Sequence, residues 1–211
     1  AGKKQWGYRV GPSQLATDGE WVYAYLPHDH QIRAYTLQDG RQTNFTRGEL
    51  WAEHNGEIEP TLGRGEKPPE KPVPAPATFC DGLAWLKGKL YVADRSRDVI
   101  VVYEARQGTI VQRFGVPKVT RLAAFGPDLL AVSEGRVVRV SGLDGKPQVT
   151  VFAAERLDDP SGIAVAADGT VCVSNRGALH NVSVFAKDGR YVRSIGKPGG
   201  LAMAGAVQAE G

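Results

Sequence analysis

Residues 159–196 read DPSGIAVAADGTVCVSNRGALHNVSVFAKDGRYVRSIG. Ile163-Ala164-Val165 is a short apolar run, and Asp168-Gly169 after it is a turn signal. Val171-Cys172-Val173 forms a second run and Val182-Ser183-Val184-Phe185 a third, closed by Asp188-Gly189. Tyr191 to Ile195 alternates apolar and polar residues, the pattern of a half-exposed outer strand. Asp-Gly suits a tight hairpin because both central positions can take positive φ at low energy. The stretch therefore predicts four short antiparallel strands in one meander.

The pattern recurs. Asp81-Gly82-Leu83-Ala84-Trp85 aligns with Ser161-Gly162-Ile163-Ala164-Val165. Lys87-Gly88 stands at the first turn, Leu90 to Asp94 at the second strand, Val99 to Tyr103 at the third and Thr109 to Phe114 at the fourth. Another copy runs from Leu122 through Gly126-Pro127-Asp128, Leu130-Ala131-Val132, Arg136 to Val140 and Asp144-Gly145 to Phe152. The earliest holds Gln14-Leu15-Ala16, Asp18-Gly19, Trp21 to Tyr25, Ile32 to Tyr35, Asp39-Gly40 and a last strand near Phe45. Leu83, Leu122 and Ile163 are 39 and 41 residues apart, a period in the range of propeller blades. From Leu15 to Leu83 is 68 residues, so the first gap holds an insertion.

The motif small-Gly-Ile/Leu-Ala-Val, Asp-Gly, Val-x-Val-Ser/Ala-Asp/Asn, polar loop, Val-x-Val-Phe, Asp-Gly, aromatic-Val-x-x-Ile-Gly resembles the NHL-repeat β-propellers. The best copy is Pro160–Gly196, and the resemblance covers about three quarters of the chain. It implies an all-β fold, a β-propeller of four-stranded antiparallel blades. Four blades are countable, whereas the relatives usually close with six. Function does not follow from the resemblance, because one fold hosts unrelated activities.

Composition agrees with many turns and strands: 26 Gly and 13 Pro among 211 residues. A formal charge of +3, with Lys and Arg spread along the chain, does not suit nucleic acid. No apolar run of about 18 residues predicts a membrane span. The chain opens on Ala1, which favours a secreted or periplasmic protein, with a cytoplasmic one as the alternative. The whole of 1–211 reads as a single propeller domain or part of one.

Two segments depart from the repeat. Residues 46–78 form a Pro/Glu-rich insertion, with Lys67-Pro68-Pro69-Glu70-Lys71-Pro72 favouring polyproline II over a strand. It is either a loose excursion or a docking arm over one propeller face. The tail, 197–211, is Gly/Ala-rich. Trp6, Tyr8 and Val10 alternate like a strand that completes the last blade or caps the first. A blade exposes two apolar faces, so the sequence predicts closure as a compact ring, or an oligomer or further segment that covers the outer blades.

Candidate site residues sit in the loops after the second strands. Pro27-His28-Asp29-His30 offers His28 and His30 as a metal pair or as a polar rim loop. Asp94 and Arg95 follow the second strand of the second copy, Glu134 that of the third, and Asn175 and Arg176 that of the fourth. In the NHL repeats such loops brace neighbouring strands with Asp, Asn and Arg. The functional alternative is that they ring one channel mouth as a polar ligand site. Cys80 and Cys172 lie two blades apart, too far for a disulfide; both are expected as free thiols, Cys172 buried.

No Walker loop, HExxH, GxSxG, CxxC or Rossmann pattern occurs. The leading expectation is a non-catalytic scaffold that holds a protein or a small-molecule or saccharide ligand on one face, without a cofactor. The rival is an enzyme similar to the six-bladed lactonases and the peptide-amidating lyase. That likeness implies a divalent metal such as calcium in the channel, with Glu134, Asn175, Asp94 and His30 as ligand candidates.

Overall fold

The computed structural model describes residues 13–27, 31–43 and 80–196. These fold into sixteen strands with no helix among the described residues. The first sheet is β1 (Gln14–Thr17), β2 (Trp21–Leu26), β3 (Gln31–Thr36) and β4 (Gln42–Thr43). The second is β5 (Cys80–Leu86), β6 (Lys89–Asp94), β7 (Val99–Glu104) and β8 (Ile110–Gly115). The third is β9 (Leu122–Phe125), β10 (Asp128–Ser133), β11 (Arg136–Ser141) and β12 (Gln148–Ala153). The fourth is β13 (Pro160–Val165), β14 (Val171–Asn175), β15 (Val182–Phe185) and β16 (Tyr191–Ile195). Every sheet is an antiparallel meander in sequence order, with the turn the sequence predicts at Lys87-Gly88, one at Gly126-Pro127 that is a residue shorter than expected because Asp128 already pairs with Phe125, and a two-residue turn at Glu134-Gly135. The protein is an all-β propeller of four-stranded antiparallel blades.

The first strands β1, β5, β9 and β13 are inner strands, each packed on the next. Leu15, Leu83, Leu122 and Ile163 all lie on them, as the repeat predicts. Gly82 permits one of these approaches. A Cβ there would lie 2.1 Å from the Thr120 carbonyl oxygen, so only glycine lets β5 come this close to the chain entering β9.

The period-2 alternation of each blade feeds two cores at once. Leu90 and Val92 face the first blade and pack with Tyr23, Tyr25 and Ile32. Their neighbours Tyr91 and Ala93 face the third blade with Leu129, Ala131 and Val140. Leu130 and Val137 meet Val171, Val173 and Phe185 of the fourth. Tyr91, Val92, Tyr103, Val171, Val173, Val184 and Phe185 are buried, as the repeat implies.

Of the residues that the apolar strand runs lead one to expect in these cores, two need correction. Ala164 is exposed, and Cys172 is half-buried rather than buried. Both pair on the face of the fourth blade that points away from the third, Ala164 opposite Cys172 and Cys172 opposite Val184. Val165 and Trp85 are half-buried and pack at the margins of their cores. Cys80 and Cys172 are free, and burial pushes the Cys80 thiol pKa up, which makes it a poor nucleophile. Trp6, Tyr8, Val10, the insertion 46–78 and the tail 197–211 lie outside the described residues. No helix among the described residues is long and apolar enough to cross a membrane.

Candidate functional site

In a four-stranded meander the start of the first strand, the second-to-third turn and the end of the fourth strand share one edge of the blade. This edge therefore gathers Arg95, Glu134 and Arg176 from the turns, and Lys118 and Asp159 from the connections that enter β9 and β13. Between blades two, three and four it opens a pocket of about 300 Å3, lined by Arg95, Lys118, Thr120, Glu134, Gly135 and Asp159.

The polar loops divide into two kinds. Asp94 is fully buried, and its Oδ1 accepts from Ser96 N–H at 3.1 Å, Ser96 Oγ at 2.6 Å and Arg97 N–H at 3.3 Å. Its carboxylate thus builds the β6–β7 turn, while the adjacent Arg95 points out to the pocket. Asn175 is buried too. Its amide donates to Asn181 Oδ1 at 2.8 Å and Ser183 Oγ at 3.0 Å, and its Oδ1 accepts from Asp158 N–H at 2.9 Å. Asn181 in turn donates to Ser194 Oγ, so its side chain is committed to the fold. Arg176 donates to Asp159 Oδ2 at 2.8 Å beside the pocket. His28 and His30 lie outside the described residues.

The pocket's charged groups stand on strained turns. Lys118 (φ 47°), Glu134 (φ 50°) and Asp159 (φ 50°) are left-handed, three of the seven such non-glycine residues among those described. Lys118 is held in place by Asp98, whose Oδ1 accepts its backbone N–H at 2.6 Å and whose carbonyl accepts from Val116. Among the described residues, no ion pair engages the side chains of Arg95, Lys118 or Glu134. The other end of the blades differs. There Lys89 meets Asp144 at 3.0 Å, and Arg106 reaches Asp18 at 3.0 Å and Glu20 at 2.7 Å, joining neighbouring blades.

Behind the pocket, Arg121 crosses three inner strands. Its Nε donates to the Ser161 carbonyl at 2.7 Å and its Nη1 to the Asp81 carbonyl. Burial pushes the Asp81 carboxyl up, against the pull of Arg121 and Arg95. The loop residues Arg95, Glu134 and Arg176 were legible as candidates; Lys118, Asp159, Asp81 and Arg121 were not. The available signal was positional: 81, 121 and 161 are one repeat apart and stand at the entry ends of equivalent first strands. Among the described residues no three His, Cys, Asp or Glu side chains form a group suited to a metal ion.

No protein-family model matches the chain, and no curated protein does. Solved structures do match. One is hydrazine synthase of Kuenenia stuttgartiensis, at 14% identity and a TM-score of 0.58, over 92% of this chain and 52% of that one. A nidogen/laminin complex matches at 20% identity and 0.59, over 87% and 64%. A catalytically inactive virginiamycin B lyase of Staphylococcus aureus with quinupristin matches at 15% and 0.52, over 87% and 55%. This chain thus spans between half and two thirds of the length of each. At these identities the likeness shows the fold alone, and that fold is the β-propeller.

Proposed function

We propose that this propeller is a binding scaffold rather than a catalyst, and that it takes a polar ligand in the pocket between blades two, three and four. The carrying observation is the arrangement of Arg95, Lys118 and Glu134. They surround a concave site without engaging one another, whereas comparable charges at the opposite end of the blades are spent on inter-blade pairs. Charged groups held on rigid turns and engaged in no ion pair among the described residues are suited to bind a ligand. Similar propellers include one solved in a complex with laminin and one lyase solved with quinupristin, so the fold accommodates both readings.

The metal-dependent enzyme is the second reading. Two of its ligand candidates, Asp94 and Asn175, have their side chains taken up by the loops that they build. Glu134 is the described candidate that remains exposed to the pocket.

The test has two arms. Labelled protein is applied to peptide and glycan arrays beside a Lys118→Met/Glu134→Gln double variant, with thermal unfolding as the control for folding. Signals lost only in the double variant support the site, and signals unaffected by it overturn the site. Stoichiometric divalent metal in the purified chain, with hydrolytic or lyase activity that chelation removes, would install the enzyme instead.

A further inference from the structure

The pocket's two signs of charge come from opposite sides. Arg95 belongs to the β6–β7 turn of the second blade, and Lys118 to the connection that leaves that blade. Glu134 belongs to the β10–β11 turn of the third blade, and Asp159 to the connection that leaves it. Because blades follow one another around the axis, the basic pair lines the side toward the second blade. Glu134 lines the side toward the third blade, and Asp159, paired with Arg176 at 2.8 Å, lines the side toward the fourth. The site is a cleft with a cationic wall and an anionic wall.

That polarity selects among ligands. A phosphodiester or a polyanion would set its charge against Glu134. A polyamine or a bare cation would meet Arg95 and Lys118. A neutral saccharide would compensate neither wall. A molecule that carries one negative and one positive group, separated by about the length of one to three residues, compensates both at once. The volume of about 300 Å3 lies at the small end of ligand pockets and suits a compact molecule of this kind. Two features of the walls point the same way. Lys118 and Glu134 hold left-handed backbones that neither side chain favours, so the turns present these ionic groups at some conformational expense. Glu134 also occupies the first position of a two-residue Glu-Gly hairpin turn, where Asn or Asp would be the easier choice.

Resting on the binding reading above, we infer that the ligand of this pocket is a zwitterion of amino-acid or short-peptide type. Its carboxylate lies against Arg95 and Lys118, and its ammonium lies against Glu134, because the Asp159 carboxylate is already engaged by Arg176.

The experiment is ligand-observed NMR, then calorimetry, on the full chain. The probes are the free amino acids and a set of Ala-containing di- and tripeptides, each beside its N-acetylated and C-amidated form. Saturable binding of free zwitterions is expected, weakened roughly tenfold or more by either block. Lys118→Met should weaken the free peptide and remove its advantage over the C-amide. Glu134→Gln should do the same for the N-acetyl form. Unchanged thermal unfolding shows that each variant is folded. Binding that is indifferent to both blocks, or no saturable binding of any zwitterion at millimolar concentration, overturns the inference. If glycan or other array ligands still depend on Lys118 and Glu134, the binding site stands and only the ligand class falls. If nothing depends on them, both fall.

Discussion

Arg121 and Ser161 are bound across neighbouring blades, the Arg121 Nε donating to the Ser161 carbonyl oxygen at 2.7 Å. The same guanidinium donates to the carbonyl of Asp81, so one side chain ties the entry ends of three inner strands. Residues 81, 121 and 161 stand 40 apart, one repeat each, and the arginine sits in the middle copy. Replacing it with Met keeps the aliphatic stem and removes both donors. Charge-assisted bonds of this kind are worth more than neutral ones, and Arg121→Met should destabilise the fold by about 2–4 kcal/mol. Urea unfolding checks it; a loss below about 0.5 kcal/mol would mean that water replaces the guanidinium without penalty.

Gly82 should resist even a methyl group. Its Cβ would overlap the Thr120 carbonyl, and backbone cannot swing aside like a side-chain tip. Gly82→Ala is expected to destabilise by about 1–3 kcal/mol through forced separation of β5 from the chain entering β9. Gly145→Ala is the matched control. Nothing lies within 4 Å of its Cβ position, and its φ is not left-handed, so its effect should be near zero or slightly stabilising. Equal effects at the two sites in thermal unfolding would contradict the inner-strand approach.

Phe185 is 1% exposed and meets Tyr191 edge-on, with ring centroids 6.0 Å apart. It fills the core between the third and fourth blades with Leu130, Val171 and Val173. Phe185→Ala should lose roughly 3–5 kcal/mol from transfer and cavity together. A measured loss under about 1 kcal/mol would show that this core is not formed.

Two aspartates should pull the pH dependence in opposite directions. Burial pushes the Asp18 carboxyl up, but the Trp21 and Glu20 amides, Arg106 and the Tyr23 hydroxyl outweigh it, and its pKa is lowered. A folded pKa below the unfolded value means stability that is present above about pH 4 and is lost as pH falls through the folded pKa. Asp18→Asn should therefore flatten the acid limb of a stability–pH profile. Asp81 has the reverse sign. Burial raises its pKa, so its stabilising share belongs to the protonated form and is lost as pH rises through that value. Asp81→Asn should gain stability relative to the parent at pH 7 and lose that gain in acid. Parallel profiles for parent and variant would refute the assignment in either case.

The strands and their grouping into blades were legible in the sequence because they rest on local physics. Short continuous apolar runs demand a sheet with two buried faces, and Asp-Gly and Lys-Gly pairs set hairpins between them. The repeat of Leu83, Leu122 and Ile163 then placed the inner strands without reference to any contact. What a loop side chain does was not legible, because it depends on which way one residue turns at a strand end. Asp94 and Arg95 are neighbours of similar polarity, yet the first is fully buried under its own turn and the second lines the pocket. Ala164 and Cys172 follow the alternation correctly, but burial needs a second surface, and local periodicity does not say which faces meet one. The pocket itself belongs wholly to tertiary structure. Arg95, Lys118, Glu134 and Asp159 come from three separate blades and connections. They share a wall only because inner strands that approach as closely as Gly82 allows turn the same edge of each blade toward one mouth.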